Sequence, residues 1–253
     1  MGEATVSGLN RAGPDAAGGR GAGARPELAE AVLAAPARGS TRKLVPPGRE
    51  HAGGSPVDWR SYDPPDLHPI LAGALAAFYE HGYHGTTVRD IARRAGVTVP
   101  ALYYHYANKQ GILVALLEIT VTEVNERAGA AVAEVDDGPV PRFARLIEAV
   151  VLFMSNRFAL AYLDTELRYL EPVNRRRYAT LRKKLESLLV EILADGKATG
   201  QMTVDSPRDT ARALLGMCQA IAGWYNPAGE LSPTQIATRY VGIALQTVGV
   251  VPR

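Results

Sequence analysis

The segment that most constrains this chain is residues 86–109, TTVRDIARRAGVTVPALYYHYANK. It carries its own punctuation. Thr87 and Asp90 have the spacing of a capping box, in which the hydroxyl accepts from the amide of residue 90 and the carboxylate reaches back. Val88, Ile91, Ala92 and Ala95 then fall on one side of a short helix. Gly96 supplies the left-handed residue that ends it. Val97 plugs the turn, Thr98 caps a second short helix, and Pro100 is tolerated in that helix's first turn. Asn108 is placed to cap a third. Helix, tight glycine turn, helix is the helix-turn-helix layout.

The second short helix has an unusual surface. Leu102 points to a core, but Tyr103, Tyr104 and His105 follow in a row, and one face cannot bury all three. Tyrosine hydroxyls donate to phosphates, their rings lie against thymine methyls, and an imidazole bonds a phosphate or a base edge. Arg89, Arg93, Arg94 and Lys109 oppose only Asp90. The helix beginning after Asn108 offers its N-terminus, with Lys109, to a phosphate. The alternative is a helical hairpin whose tyrosines pack on a neighbour.

The rest of the chain sets the frame. Ile70, Leu71, Ala74, Leu75 and Phe78 recur at helical spacing, with Asp66 as a candidate cap, Pro69 in the first turn and Gly82 as the stop. A long amphipathic helix is expected from Lys109 to about Glu134. Further helices are expected from Pro139, and from about Tyr178 to Thr199 after a break at Pro172. Ser206-Pro207-Arg208-Asp209 and Ser232-Pro233-Thr234-Gln235 are two more N-cap signatures. There is no run of alternating β-branched residues and no hairpin signal. The fold class is therefore all-α, in two parts: an N-terminal three-helix helix-turn-helix domain (65–112) and a second helical domain (113–250). Residues 1–64 differ in composition. The first 65 residues hold 11 of the 25 glycines and 8 of the 17 prolines, but only Trp59 and Tyr62 among the aromatics. Such a segment buries too little apolar area to offset its ordering entropy, so it is expected to be a disordered tail.

Several function classes lose ground on inventory. Cys218 is the single cysteine, which excludes an intrachain disulfide and a multi-cysteine metal site. His81 and His84 flank a helix-ending glycine with no third ligand evident. No glycine-rich phosphate loop or nucleophile elbow occurs, so neither an enzyme nor a resident cofactor or metal is expected. No stretch reaches the apolar length of a membrane span, and the N-terminus lacks a signal-peptide pattern; the expected location is cytoplasmic. The net charge of +2 decides nothing by itself. The arginines of residues 1–64 leave open a second class, a nonspecific DNA binder using its basic tail.

The C-terminal half holds two further candidates. The helices begun by Ser206 and Ser232 carry Ala211, Ala213, Gly216, Ala220, Ala222, Gly223, Gly242 and Ala244. Small residues permit close helix approach, which suits a four-helix dimer interface or an ordinary intramolecular core. Phe153, Phe158, Tyr162, Tyr169 and Trp224 are candidate pocket residues, although such stripes more often are plain core. Arg168, Arg175 and Arg176 are either a solvated charged face or a clamp for an anionic head group.

The segment TTVRDIARRAGVTVPALYYHYANKQGILVALLE, preceded by AFYEHGYHGT, is similar to the N-terminal domain of the TetR family of transcriptional regulators. The resemblance implies a homodimer, formed through the last two long helices, that binds a double-stranded DNA operator and is released by a small-molecule effector. By position it implies that Thr87, Tyr103, His105 and Lys109 contact phosphates. Thr98, Val99, Pro100, Ala101 and Tyr104 then lie nearest the DNA, the last four closest to base edges. Val99 and Ala101 stand where many members carry a polar residue, so base reading would lean on Tyr104 and on DNA shape. Glu166-Leu167-Arg168, Arg175-Arg176-Arg177-Tyr178 and Trp224-Tyr225-Asn226 more loosely resemble the subgroup that regulates fatty-acid and sterol catabolism and responds to acyl-CoA or CoA thioesters. A non-CoA aromatic or drug-like effector is the alternative.

Overall fold

The computed structural model describes residues 57–250, and its regular elements are all helical. The helices are α1 (Pro69–Gly85), α2 (Val88–Ala95), α3 (Val99–His105), α4 (Lys109–Ala133), α5 (Pro139–Asn156) and α6 (Phe158–Tyr162). A 3-10 segment (Leu163–Tyr169) follows, then α7 (Pro172–Ala198), α8 (Pro207–Gln219), α9 (Ile221–Trp224) and α10 (Pro233–Thr247). Among the described residues no single helix is long and apolar enough to cross a membrane.

Most helix ends lie where local chemistry puts them. Thr87 and Asp90 form the full capping box, and Gly96 takes the left-handed conformation at φ 67°. Thr98, Asn108 and Ser206 each accept from the amide three residues on, and Ser232 pairs with Gln235 in a second capping box. Two ends differ from expectation. α1 is capped by His68, whose Nδ1 accepts from the Ile70 amide at 3.3 Å, and not by Asp66. Proline at the first helical position fixes the start at residue 69, which leaves Asp66 a turn too early. α7 begins at Pro172, about two turns before Tyr178; its proline sits at the first position and starts the helix instead of breaking it.

Two cores organise the packing. One joins α1–α3 to the first half of α4 and also takes in Ala159, Leu160, Leu163, Leu170 and Tyr178 from beyond α5. The helix-turn-helix unit therefore shares its core with the C-terminal half. The second core is built round α5, which packs against α4, α7, α8 and α10 and buries Phe143, Leu146, Ile147, Val150 and Phe153.

Residues 57–64 depart from the expected tail. Trp59 is 4% exposed and belongs to the second core. Its indole Nε1 donates to Glu134 at 2.8 Å. Arg60 pairs with Glu134 at 3.0 Å and Glu148 at 3.4 Å, and Arg127 donates to the carbonyls of Asp58 and Ser61. A buried tryptophan with a satisfied N–H outweighs the local proline content. The expected disorder of residues 1–56 lies outside the described residues.

Candidate nucleic-acid interface and effector site

The recognition surface is built by fixing a short helix on a stiff base. Leu102 is fully buried against Ile91, Ala92 and the α1 residues, and this sets the rotation of α3. The same rotation turns Tyr104 out, 88% exposed, and leaves Tyr103 at 49%. The Tyr104 and His105 rings meet edge to face at 5.3 Å. Thr98, Pro100 and His105 are exposed, while Val99 and Ala101 are half-buried. Tyr104 is the most exposed large hydrophobic side chain among the described residues, which marks this surface for another use.

α1 and α2 cross closely beneath this helix. A Cβ on Gly73 would lie 3.1 Å from both the Ala95 amide nitrogen and the Arg94 Cβ, so only glycine fits there without displacement. The α1 end is tied by Thr86, whose Oγ1 donates to the carbonyls of Ala77 and Gly82 at 2.9 and 2.8 Å. Gly82 has φ 69°, a left-handed residue that breaks the helix before its last turn.

Charge is distributed more narrowly than the sequence suggests. Arg94 is paired with Glu80 and half-buried, so it is neutralised by its own fold. Arg93 is held by Asp90 at 3.2 Å but stays exposed. Arg89 is exposed at the front of α2 and was not among the expected contacts. Lys109 is the main departure. Its ammonium donates to the carbonyls of Tyr83 at 2.6 Å and Thr86 at 2.7 Å and sits 4.3 Å from the Tyr83 ring centre. It is turned inward, its pKa is lowered by burial, and it ties off the carbonyls at the end of α1 instead of reaching out toward a phosphate. Thr87 is exposed, with its hydroxyl donating to Asp90 at 2.5 Å. His68 was also missed: its ring lies 5.3 Å from that of His105. Burial and that neighbour hold its pKa below the usual imidazole range.

The expected effector residues do not converge. Phe153 is fully buried within the second core. Phe158 and Tyr162 pack edge-on against Tyr79 of α1 at 5.7 and 5.3 Å. Tyr169 stacks on Tyr83 at 5.7 Å and meets His84 at 4.2 Å, with the Arg168 guanidinium 4.8 Å from its ring centre. Arg175 donates to the carbonyls of Arg168 and Leu170, Arg176 is exposed, and Trp224 is 50% exposed beside Tyr240. An aromatic stripe at helical spacing is here the seam between the helix-turn-helix unit and the rest. Gln110 extends that seam, donating to the Tyr169 carbonyl and accepting from Asn174 at 2.5 Å and from the Glu171 amide.

Two of the cavities among the described residues are open clefts. One, about 400 Å³, lies between residues 58–67 and α4 beside Glu123, Arg127 and Arg157. The other, about 320 Å³, lies among the 3-10 segment, α7 and α8–α9, lined by Tyr162, Asp164, Thr165, Arg182, Gln219 and Gly223. Tyr162 is the only expected pocket residue that lines either.

The small residues of α8–α10 divide in two. Ala211 and Ala244 are fully buried in this chain's own core, and Ala222 nearly so, so these three do not form an outer surface. Ala213, Gly216, Ala220 and Gly223 are exposed, and a Cβ on Gly216, Gly223 or Gly242 would meet nothing within 4 Å. Trp224 and Ile243, at 50% and 47%, add large apolar area beside them. Among the described residues no group of three or more His, Cys, Asp or Glu is placed to hold a metal ion.

Residues 70–116 match the family of bacterial regulatory proteins called tetR, and residues 136–248 match the tetracyclin repressor-like C-terminal domain. The HTH-type transcriptional repressor KstR2 of Mycolicibacterium smegmatis is 27% identical over 179 residues, covering 70% of this chain and 87% of that protein. KstR2 of Mycobacterium tuberculosis is 29% identical over 180 residues, covering 70% and 89%. The solved structure of the latter, a ketosteroid transcriptional regulator, superposes with a TM-score of 0.64 at 26% identity, covering 73% of this chain and 94% of that one. AibR, solved with isovaleryl coenzyme A and operator DNA, gives 0.63 at 26% identity, covering 69% and 95%.

Proposed function

The chain belongs to the tetR family of bacterial regulatory proteins, and on that premise we propose that it is a dimeric repressor that leaves its operator when it binds a small-molecule effector. The observation that carries the DNA-binding part is the rotation of α3. Its one buried side chain, Leu102, sends Tyr103, Tyr104 and His105 outward together. In a major groove Tyr104 would meet base edges and thymine methyls, with Thr87, Thr98, Tyr103, His105 and Arg89 on the flanking phosphates. Val99, Pro100 and Ala101 add only apolar contact. As a regulator working on DNA, the protein would act in the cytoplasm, and no catalytic step is assigned to it.

The exposed small-residue face of α8–α10, with Trp224 and Ile243, is the surface proposed for the dimer. A two-fold four-helix contact suits glycines with open space above them.

For the effector we favour the cavity beside Tyr162 and Arg182. Tyr162 packs on Tyr79 of α1, so a ligand that displaces it pushes on the helix-turn-helix unit. That is the differential contact a release mechanism requires. Arg182, 3.6 Å from Asp164, is the cation for which an anionic ligand would compete there. A CoA thioester is the class we put first, because AibR was solved with isovaleryl coenzyme A.

Selection from random duplex DNA, followed by binding measurements with and without candidate ligands, tests both parts. The expected outcome is a palindromic site whose complex is weakened by a CoA thioester. Uniform binding to every sequence would overturn the repressor reading in favour of nonspecific DNA binding. Release by uncharged aromatic compounds alone would overturn the choice of CoA.

A further inference from the structure

Residues 57–68 connect two places that are otherwise joined by α4 and by the aromatic seam of α1. At one end Trp59 is inserted in the second core and hydrogen-bonded to Glu134, just past the end of α4. On either side of Trp59, Arg127 of α4 donates to the carbonyls of Asp58 at 3.2 Å and Ser61 at 2.9 Å. It also lies 3.9 Å from the centre of the Tyr62 ring. Further along, Leu67 lines the same cavity as Ile119 of α4. At the other end His68 caps α1 and lays its ring 5.3 Å from that of His105 on α3.

This order means that the segment runs antiparallel to α4. Ile119 to Glu134 spans about 22 Å at the ordinary helical rise. The chain from Leu67 back to Trp59 reaches at most about 26–29 Å when fully extended. The Ser61 amide donates to the Asp58 carbonyl at 3.3 Å and the Leu67 amide to the Pro65 carbonyl at 2.9 Å, so two turns shorten the segment, and Pro64 and Pro65 stiffen its middle.

We propose that residues 57–68 form a short ordered tether, anchored by Trp59, that helps hold the recognition helix at a set distance and angle from the effector domain. α4 and the seam of Tyr79 and Tyr83 against Phe158, Tyr162 and Tyr169 already join the two units, and an effector that disturbs the seam would let the helix-turn-helix unit tilt about the joint near Asn108. With this further connection, fastened at Trp59 and Arg127, the tilt is confined to a shorter arc. In the dimer this defines the separation of the two α3 helices, and with it the half-site spacing the protein reads.

The tether's use in choosing a half-site spacing rests on the repressor reading, but its mechanics can be measured without DNA or effector. Nitroxide labels at Arg89→Cys and Glu191→Cys, in a Cys218→Ala background and diluted with unlabelled protein, report the distance within one protomer by pulsed dipolar spectroscopy. Two variants are compared: Trp59→Ala, and a Gly-Ser-Gly-Ser insertion between Asp63 and Pro64. The insertion keeps Trp59 seated and adds about 13 Å of reach. A narrow distribution in the parent that broadens in both variants is the expected result. An insertion variant as narrow as the parent would overturn the tether, whatever Trp59→Ala does to stability. Failure of the protein to select any DNA sequence would count against the repressor reading and leave these distances untouched.

Discussion

The Lys109 ammonium is 2.6 Å from the Tyr83 carbonyl oxygen and 4.3 Å from the centre of the same residue's ring. One cation thus closes the last turn of α1 from the start of α4. Removing it leaves two carbonyls without their charged donor. Lys109→Met is expected to lower stability by about 1–3 kcal/mol. The slope of log binding constant against log salt, on any duplex, should stay as in the parent. A phosphate-bound lysine would instead reduce that slope by about 1.

Tyr104 makes the opposite case. It is 88% exposed, so Tyr104→Ala should leave the melting temperature unchanged. On the selected operator the loss is expected to be about 1–3 kcal/mol, roughly 5- to 150-fold, with little change on random duplex. Equal loss on both would make Tyr104 a phosphate contact only.

Trp59 and Arg60 bear on where the folded unit begins. A chain starting at residue 57 keeps both, whereas one starting at residue 61 loses the buried indole and the ion pairs to Glu134 and Glu148. The shorter chain is expected to be less stable by about 3–5 kcal/mol, as for a buried tryptophan removed elsewhere. Denaturant melts of the two truncations settle this. They also correct a natural design: cutting at residue 60 to test a basic tail would damage the core as well.

Cys218 is buried, and burial pushes its thiol up to about 12. The thiolate is the reactive form, so an aromatic disulfide reagent at pH 8 should leave the folded protein unmodified and react fully in denaturant. Rapid reaction of the native protein would mean that α8 opens locally.

His68 gives a pH dependence of known sign. Its pKa is lowered in the fold by burial and by His105, while an unfolded imidazole titrates near about 6.5. The unfolded chain therefore takes up the proton first as pH falls. The contribution of His68 is fully present above about 6.5, is lost as pH drops through the interval down to the folded value, and then levels off. His68→Asn retains a capping oxygen and removes the titration. The fall in melting temperature between pH 7.5 and 5 should be smaller in that variant than in the parent.

The helix caps were legible because they are local. Thr87, Thr98, Asn108, Ser206 and Ser232 each act on an amide three residues away, and the sequence displays both partners. What was hidden depends on long-range neighbours. Trp59 sits among prolines and glycines, and nothing near it announces Glu134, 75 positions on. Arg94 reads as one more exposed cation until α1 brings Glu80 to it. Phe158, Tyr162 and Tyr169 have the composition of a pocket, but Tyr79, Tyr83 and His84 of α1 already occupy the space they face. Ala211 and Ala213 look alike as letters; only the phase of α8 around α5 sends one inward and leaves the other outside.

The seating of Trp59 also decides where mechanical load goes. Anything pulling on the N-terminal side, whether a fused domain, a purification handle or a bead in an optical trap, hauls on the indole pocket beside Glu134 before force reaches Pro69. The effector domain absorbs the strain, and the groove-reading surface is isolated from it. Cargo attached upstream of residue 57 should therefore travel with this protein without disturbing how it grips DNA.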